Sequence, residues 1–393
     1  GLNYNAWEEM KNDSATHALY SWGTNENGGL GLNAPGPAGK KSSPTQVSGT
    51  KWSTLAGGFS FDSRGAIKSD GTLWMWGRND QGQLGLNSQD DSRSSPTQIP
   101  GTTWSVVNAG GDNGRCTLAI KTDGTMWSWG GNKYGNLGQN EAGTPSGEDN
   151  PGNQFSSPVQ IGTNTTWKDV SNGADWVLAT KTDGTAWAWG FNQYGGMLAQ
   201  ADKTNRSSPT QIGTNTNWAY MSAGRPYNSM AVKTDGSLWT WGLANNGALG
   251  LNSSNTDYSS PKQIPGTWAY DHPVKISAGF YRGYAIKSDN TLWAWGYQGA
   301  GELGDNSNVR RSSPVQVSGT TWESVANIYN VSLALKTDGT LWSWGANTSG
   351  ELGQNSRTQY SSPLQIPGTW KSGSETVRSI ATYQAGALAL KVE

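Results

Sequence analysis

The chain has little of the chemistry from which most active sites are built. Its 393 residues include one cysteine, Cys116, and two histidines, His17 and His272. A single cysteine excludes an internal disulfide and any metal centre built from several thiolates. His17 adjoins the closing strand of the repeat described below, whereas His272 falls in a connection between two repeats, so the two are not expected to share a catalytic triad or metal site. We expect no enzymatic activity, no cofactor and no bound metal. A pair of carboxylates formed between loops, as in a glycosidase, is the enzymatic alternative.

Charged residues are also scarce. Asp, Glu, Lys and Arg make up 15% of the chain, and its formal net charge is −1. No basic stripe is available to neutralise phosphates, which argues against a nucleic-acid partner or an anionic membrane surface. No apolar run approaches the roughly 18 residues of a membrane-spanning helix, so membrane insertion is not expected. Abundant Gly, Asn, Ser and Thr at this low charge favour an extracellular or virion-surface location.

What the chain has instead is one unit repeated seven times. A Trp-Gly dipeptide recurs at steps of 49 to 60 residues. Its seven tryptophans are Trp22, Trp76, Trp129, Trp189, Trp241, Trp295 and Trp344. A period of this length, rich in Gly and strand-forming residues, indicates a propeller or solenoid rather than two or three separate domains.

The third copy shows the order of strands and turns within the unit. Residues 104–110 and 117–121 read as strands A and B, residues 126–129 as strand C, and residues 157–161 as strand D. The Asp123-Gly124 pair between strands B and C predicts a hairpin turn with positive φ at both central residues. Four short antiparallel strands per unit predict a propeller blade. A proline near the start of strand D, present in every copy, favours the outer edge of the sheet.

Tryptophan spacing and the ends of the chain predict how the ring holds together. Strand C carries Trp-x-Trp and strand A opens with another Trp, a regularity that indicates packing between blades. Residues 18–22 form a C strand with no A or B strand before it, and the last unit stops after its B strand. We therefore expect residues 18–22 to pair with residues 386–390 in a composite blade. The predicted architecture is an all-β, seven-bladed propeller over 17–393, with 1–16 as a tail or a stub joining a larger assembly.

The repeated text resembles a known family. Leu-Ala-Ile-Lys-Thr-Asp-Gly-Thr-x-Trp-x-Trp-Gly, followed by Asn-x-x-Gly-x-Leu-Gly and later Ser-Pro-x-Gln-Ile/Val, is similar to the repeat of the regulator of chromosome condensation family, particularly its bacterial form. The resemblance implies a seven-bladed propeller with a composite closing blade. It implies no single function, because members include a nucleotide exchange factor, a plant ultraviolet-B photoreceptor and a secreted β-lactamase inhibitor. The family's usual Ala-Gly-x-x-His-Thr and the photoreceptor's Gly-Trp-Arg-His-Thr are both absent here.

Function is expected where the copies differ. Strand direction alternates, so the A–B and C–D loops share one rim, and these loops carry aromatic and arginine residues where free drift would favour Gly, Ser, Asn and Asp. Such a composition on a rigid frame is typical of a binding surface that is substantially exposed. The predicted contact residues are Phe59, Phe61, Arg64, Arg78, Asp112, Arg115, Trp176, Phe191, Arg225, Tyr227, Phe280, Tyr281, Arg282, Tyr297, Tyr329 and Tyr383.

We therefore expect a recognition module that binds a protein surface, either a receptor or a target enzyme. It would act in receptor binding or adhesion on a virion or cell surface, or as a secreted inhibitor. A carbohydrate-binding, lectin-like propeller is the alternative, because Trp, Tyr, Asn and Asp also suit sugars. A purely architectural virion component is a third. The rim differs from blade to blade, which favours one asymmetric protein partner over a repeated glycan.

Overall fold

The computed structural model of the chain describes residues 17–34, 36, 39–58, 63–110, 115–141, 154–370, 378–383 and 385–392. These residues form seven four-stranded antiparallel sheets, which confirms the predicted all-β, seven-bladed propeller. Within the described residues, the short 3-10 turns Glu26–Gly28, Asn245–Gly247 and Pro273–Lys275 interrupt the loops. None of the helices in this described part is long and apolar enough to cross a bilayer. The predicted tail, 1–16, lies outside the described residues.

The strands follow the order A, B, C, D from the central channel outward. Blades 1 to 3 are Trp52–Leu55, Ser63–Lys68, Leu73–Gly77 and Arg93–Gln98; Trp104–Ala109, Cys116–Lys121, Met126–Gly130 and Phe155–Gln160; and Trp167–Asn172, Trp176–Lys181, Ala186–Gly190 and Arg206–Gln211. Blades 4 to 6 are Trp218–Ala223, Asn228–Lys233, Leu238–Gly242 and Tyr258–Ile264; Ile276–Gly279, Arg282–Ile286, Leu292–Gly296 and Arg311–Gln316; and Trp322–Asn327, Val331–Lys336, Leu341–Gly345 and Tyr360–Ile366. The closing blade is Ile380–Tyr383, Gly386–Val392, His17–Gly23 and Lys41–Gln46.

Each blade is joined to the preceding one by a tryptophan of strand C. The indole Nε1 of Trp129 donates to the carbonyl oxygen of Gln83 in the C–D loop of blade 1, over 3.0 Å. All seven blades repeat this bond at 2.7–3.0 Å, with the donors Trp22, Trp76, Trp129, Trp189, Trp241, Trp295 and Trp344. The rings are fully buried between sheets, so the second strand-C tryptophan is scaffold.

The first strand-C tryptophan anchors the turn between strands B and C. Trp127 Nε1 donates to Thr125 Oγ1 over 2.9 Å, and that hydroxyl donates to Asp123 Oδ1 over 2.6 Å. The prediction of positive φ at both turn residues is wrong. Only Gly124 has positive φ, 78°, because the chain forms an i to i+3 turn closed by Gly124 N and Lys121 O, and then needs a single left-handed residue to return to the sheet.

A second inter-blade bond covers the outer edge of every D strand. The backbone N–H of Asn87 donates to Ser156 O of the next blade over 2.7 Å, with Asn87 at a φ of 55°. Six of the seven positions are asparagines with φ between 51° and 60°, namely Asn33, Asn87, Asn140, Asn252, Asn306 and Asn355. The predicted outer position of strand D is thus confirmed, and its exposed edge is protected by the neighbouring loop.

The ring is closed by both ends of the described chain. His17–Gly23 pairs antiparallel with Gly386–Val392, and Ala18 stands opposite Lys391 while Trp22 stands opposite Ala387. The predicted closure is confirmed, with the register one residue further along the B strand than expected. Trp22 completes the interface by donating to Glu351 O of blade 6 over 2.8 Å.

A deletion that ends at Gly23 tests the closure. Removing strand C of the closing blade exposes two strand edges and leaves the Trp22 site empty, so we expect a sharply lower melting temperature. A deletion that ends at Thr16 is the matched control, because it removes none of the described strands. Equal melting temperatures for the two truncated chains would contradict the role assigned to this strand.

The backbone bond at the outer edge of the D strands has an alanine in place of asparagine in one copy, which offers a second test. Ala201 holds the left-handed conformation there, with a φ of 58°, and its N–H donates to Ser259 O over 2.9 Å. Asparagine tolerates this region better than alanine, so Ala201→Asn should stabilise the fold by about 0.5–1 kcal/mol. The reverse change, Asn87→Ala, should destabilise it by a similar amount. Chemical denaturation measures both, and a destabilising Ala201→Asn would show that the bond pattern is not set by φ.

Candidate functional site

Loops from five consecutive blades, blades 2 to 6, meet on one rim of the propeller. Phe191 and Tyr194 of a C–D loop contact Tyr227 of the following A–B loop, with ring centroids 5.7 and 5.0 Å apart. The two loop types therefore share a rim, as the alternation of strand direction predicts. The predicted residues of blades 3 to 6 gather into two aromatic clusters.

The first cluster, which we call the tyrosine patch, consists of Tyr134, Phe191, Tyr194 and Tyr227. Phe191 is buried at its centre, 4.6 Å from the Tyr134 ring and 5.2 Å from the Tyr194 ring. Trp176 supports the patch from below, 5.9 Å from Tyr227. Tyr194 is 54% exposed, the largest exposure of an aromatic side chain among the described residues. Burial raises the pKa of Tyr227 to about 12, so its hydroxyl remains a hydrogen-bond donor at neutral pH.

The second cluster, which we call the stacked patch, consists of Phe280, Tyr281, Tyr297 and Tyr329. Phe280 and Tyr329 stack nearly parallel, with centroids 4.6 Å apart and an interplanar angle of 19°. Arg225 donates to the Tyr329 hydroxyl, and its guanidinium lies 5.1 Å from the centre of that ring. These side chains are partly exposed. The patch therefore offers flat aromatic surface beside a positively charged group.

Backbone hydrogen bonds join the two patches into one surface. Arg225 N donates to Gly279 O over 3.2 Å, and Tyr281 N donates to Arg225 O over 2.7 Å. Phe280 N in turn donates to Ile328 O over 2.7 Å, which ties the loop of blade 5 to that of blade 6. Because Arg225 contacts Tyr329 of the stacked patch and Tyr227 belongs to the tyrosine patch, residues 225–227 connect the two patches. The loops are bonded to one another rather than independently placed.

A charged group lies on the same rim at blades 1 and 2. Arg78 Nη2 and Arg115 Nη1 both pair with Asp80, the former over 2.7 Å. Gln83 Nε2 donates to the other oxygen of this carboxylate over 2.9 Å. The three charged side chains are between one quarter and one third exposed. This group contains no aromatic ring, so it differs chemically from the two patches.

Five of the predicted contact residues are buried, and for them the expected exposure is wrong. They are Arg64, Trp176, Phe191, Arg282 and Tyr383. Trp176 and Arg282 are the first residues of B strands and Arg64 is the second of another, so their side chains enter the interfaces between blades. Tyr383 ends an A strand, and its hydroxyl donates to Trp22 O over 2.6 Å.

The two buried arginines have local partners. The Arg64 guanidinium stacks 3.6 Å from the centre of the Tyr383 ring and donates to Ser63 O over 2.8 Å. Arg282 donates to Tyr297 O over 3.1 Å and lies 3.6 Å from the Glu302 carboxylate. These side chains position the rim from beneath. Three further predicted residues, Phe59, Phe61 and Asp112, lie outside the described residues.

Sequence reasoning missed two members of the tyrosine patch and one residue beside the stacked patch. Tyr134 and Tyr194 occupy the same place in two consecutive C–D loops, where other copies have Gln81, Asn246 or Ser349. An aromatic residue confined to adjacent copies is the signal that could have identified them. Arg310 was also missed; its guanidinium lies 5.0 Å from the centre of the Tyr297 ring and adds a second cation to the stacked patch.

The A strands surround a small cavity at the centre of the ring. Small residues such as Ser171, Ser222 and Ala278 line it and leave a volume of about 60 Å³. This is room for a few water molecules.

Reactive groups are sparse in the part of the chain that the structure describes. It holds no group of three or more His, Cys, Asp and Glu side chains that could bind a metal ion. Burial raises the pKa of the Cys116 thiol to about 11, so the side chain stays protonated and poorly reactive at neutral pH. Both histidines are buried.

The repeats of this chain match those of known proteins. The model of the Regulator of chromosome condensation (RCC1) repeat matches residues 70–114, 123–180, 235–281 and 338–382. The Ultraviolet-B receptor UVR8 of Arabidopsis thaliana is 29% identical over 308 residues, which cover 75% of this chain and 64% of the receptor. The E3 ubiquitin-protein ligase HERC2 of Homo sapiens is 25% identical over 272 residues, 67% of this chain and 5% of that protein. The Regulator of chromosome condensation of Xenopus laevis is 25% identical over 320 residues, 78% of this chain and 73% of that protein.

Solved structures show the same fold. Human WBSCR16 superposes with a TM-score of 0.79 at 19% identity, covering 96% of this chain and 99% of its own. Yeast RCC1 (Prp20), in a complex with Kap60, superposes with a TM-score of 0.78 at 19% identity, covering 99% and 92%. At this identity the likeness concerns architecture alone.

The division of the rim into supporting and exposed side chains can be tested by stability. Trp176→Ala removes a fully buried ring and should destabilise the fold by about 3–5 kcal/mol. Tyr194→Ala removes an exposed ring and should change stability by less than about 0.5 kcal/mol. Chemical denaturation of both variants measures the difference. If the two variants were equally stable, the assignment of Trp176 beneath the patch and Tyr194 on its surface would be wrong.

Proposed function

Because the chain belongs to the regulator of chromosome condensation (RCC1) repeat family, we propose that it is a non-enzymatic recognition module that binds a protein partner through the aromatic rim. The observation that carries the proposal is the joining of the tyrosine patch and the stacked patch by residues 225–227. Relatives include a receptor and a ubiquitin-protein ligase, and yeast RCC1 (Prp20) was crystallised bound to Kap60. A protein partner for this chain would parallel the binding of Kap60 to yeast RCC1 (Prp20). The chain spans only 64% of UVR8 and 5% of HERC2.

The chemistry of the two patches suits a protein surface. Aromatic side chains with few rotatable bonds lose little entropy on binding, and the backbone bonds between loops keep the rings in place before a partner arrives. Arg225 and Arg310 supply two guanidinium groups beside the rings. We infer that the partner presents apolar side chains with carboxylate or carbonyl oxygens next to them.

The asymmetry of the rim supports one protein partner rather than a repeated ligand. Blades 2 to 6 carry the rings of the two patches, whereas the Arg78–Asp80–Arg115 group lies at blades 1 and 2. A repeated glycan would be matched by similar groups in every blade, and this rim lacks them in its described part. An extracellular or virion-surface role is part of the proposal, since the low charge and abundant small polar residues favour it.

The proposal is tested by partner capture followed by an alanine comparison on the full chain. Immobilised protein would be exposed to cell extracts and culture medium of the source organism and of organisms that live beside it. Captured proteins would be identified by mass spectrometry. Affinities for a captured protein are then measured for Tyr194→Ala and Tyr329→Ala. We expect each to cost about 2 kcal/mol, since central aromatic residues dominate interface energies.

Tyr270→Ala is the matched control. Tyr270 is 44% exposed and lies in a D–A connection on the opposite rim, so its loss should leave the affinity unchanged within about 0.5 kcal/mol. If the affinity for the partner fell with Tyr270→Ala and did not change with the two rim variants, binding would lie on the opposite rim. A requirement for glycan on the captured protein would favour the lectin alternative.

A further inference from the structure

The cavity at the centre of the ring, which we call the central cavity, has a polar lining that the aromatic rim does not use. Ser171, Ser222 and Ser277 line it from the A strands of three consecutive blades, and Arg378 lines it from the closing blade. Its volume of about 60 Å³ is far below the roughly 300 Å³ or more of sites for organic ligands. The central cavity can therefore hold water or one small ion.

The serine hydroxyl groups around the central cavity are available as hydrogen-bond donors. Ser171 Oγ accepts from the backbone N–H of Ala223 over 3.0 Å. In the next blade Ser222 Oγ accepts from Ala278 N over 2.9 Å, and Ser277 repeats the bond one blade further. In the part of the chain that the structure describes, no protein acceptor takes the O–H proton of these serines. Each hydroxyl group can thus donate to an occupant of the cavity.

A guanidinium group also reaches the central cavity. The Arg378 side chain is only 20% exposed, and it lies against Gly57, where a Cβ atom would be 2.4 Å from Nη1. This side chain forms no hydrogen bond to another described residue, and Asp169 Oδ1 of blade 3 is 3.8 Å from Nη2. A guanidinium has five N–H donors. Arg378 therefore brings donors into the cavity for which the described residues supply no acceptor.

The charges beside the central cavity favour an anion over a metal cation. Two cations, Arg378 and Lys168, act on the single carboxylate of Asp169, so this group of three carries one net positive charge. The amide oxygen of Asn327, which also lines the cavity, is buried against Gly279. A metal ion would lie beside a guanidinium and would meet serine oxygens that already accept N–H groups, which disfavours it.

We propose that the central cavity binds one small monovalent anion, of the size of chloride or nitrate, held by the Arg378 guanidinium and the hydroxyl groups of Ser171 and Ser222. The anion accepts from donors that the protein leaves unused, and it balances the net positive charge. Because the closing blade and blades 3 and 4 all contribute to the site, a bound anion stabilises the closed ring relative to the unfolded chain.

The proposal is tested by the melting temperature of the full chain in sodium chloride, bromide or nitrate, compared with sodium gluconate at the same ionic strength. Gluconate is too large for the cavity and controls for general salt effects. We expect the smaller anions to raise the melting temperature saturably, by about 2–4 °C at one hundred times the dissociation constant.

Variants of the charged pair separate an anion site from a structural ion pair. Asp169→Asn removes the carboxylate that competes for Arg378 and should tighten chloride binding about tenfold. Arg378→Gln combined with Asp169→Asn leaves neither partner of this pair charged, and it should abolish the chloride response. Arg93→Gln is the matched control. Arg93 also pairs with an aspartate, Asp91, but lies on an outer strand, so its loss should leave the chloride response unchanged.

A crystal grown in sodium bromide locates the ion by anomalous scattering. We expect one bromide beside Arg378 in the central cavity, and none there in the double variant. Equal melting temperatures in chloride and gluconate would mean that the cavity holds water only, and the proposal would be wrong. A chloride response that persists in the double variant, or a bromide bound elsewhere alone, would equally overturn it.

Discussion

The bond from the Trp-Gly indole of each C strand to a carbonyl oxygen of the preceding blade is the interaction on which the ring depends. A neutral hydrogen bond contributes only about 1 kcal/mol, but here it orients a ring that fills the space between two sheets. The same bond joins Trp22 to Glu351, so the interface that closes the circle resembles the other six. No blade edge is left as a weaker boundary, which is what allows a ring of small sheets to behave as a single body.

This scaffold allows the sequences of the loops to vary, and hydrogen bonds still hold some of these loops to one another. On the aromatic rim, Arg225, Phe280 and Tyr281 exchange backbone hydrogen bonds across blade boundaries. Phe280 and Tyr281 of the stacked patch are therefore carried by backbone that is held twice, by the blade beneath and by the neighbouring loop.

The repeat explains why the fold could be predicted and the burial of the rim could not. Seven Trp-Gly pairs, the entry prolines and the truncated first and last units determine strand order and closure, because each is a local signal repeated many times. Trp176 and Arg282 carry no such signal, since their neighbours come from other blades: Tyr227 lies against Trp176, and Arg282 faces Glu302. Their position at the start of a B strand, rather than in the loop, decides their burial. The prediction of positive φ at Asp123 was wrong for a related reason. An Asp-Gly pair alone does not distinguish a two-residue turn from a longer one.

The closing blade also determines which rim would face outward if the molecule were attached through its strand ends. His17 and Val392 are paired at the same end of adjacent strands, and that end lies on the rim of the Asp-Gly turns. The strand ends at His17 and Val392 therefore lie on the rim opposite the tyrosine patch and the stacked patch. A stalk, a carrier protein or a solid support attached there would display the aromatic face outward and unobstructed, whichever end carried the attachment.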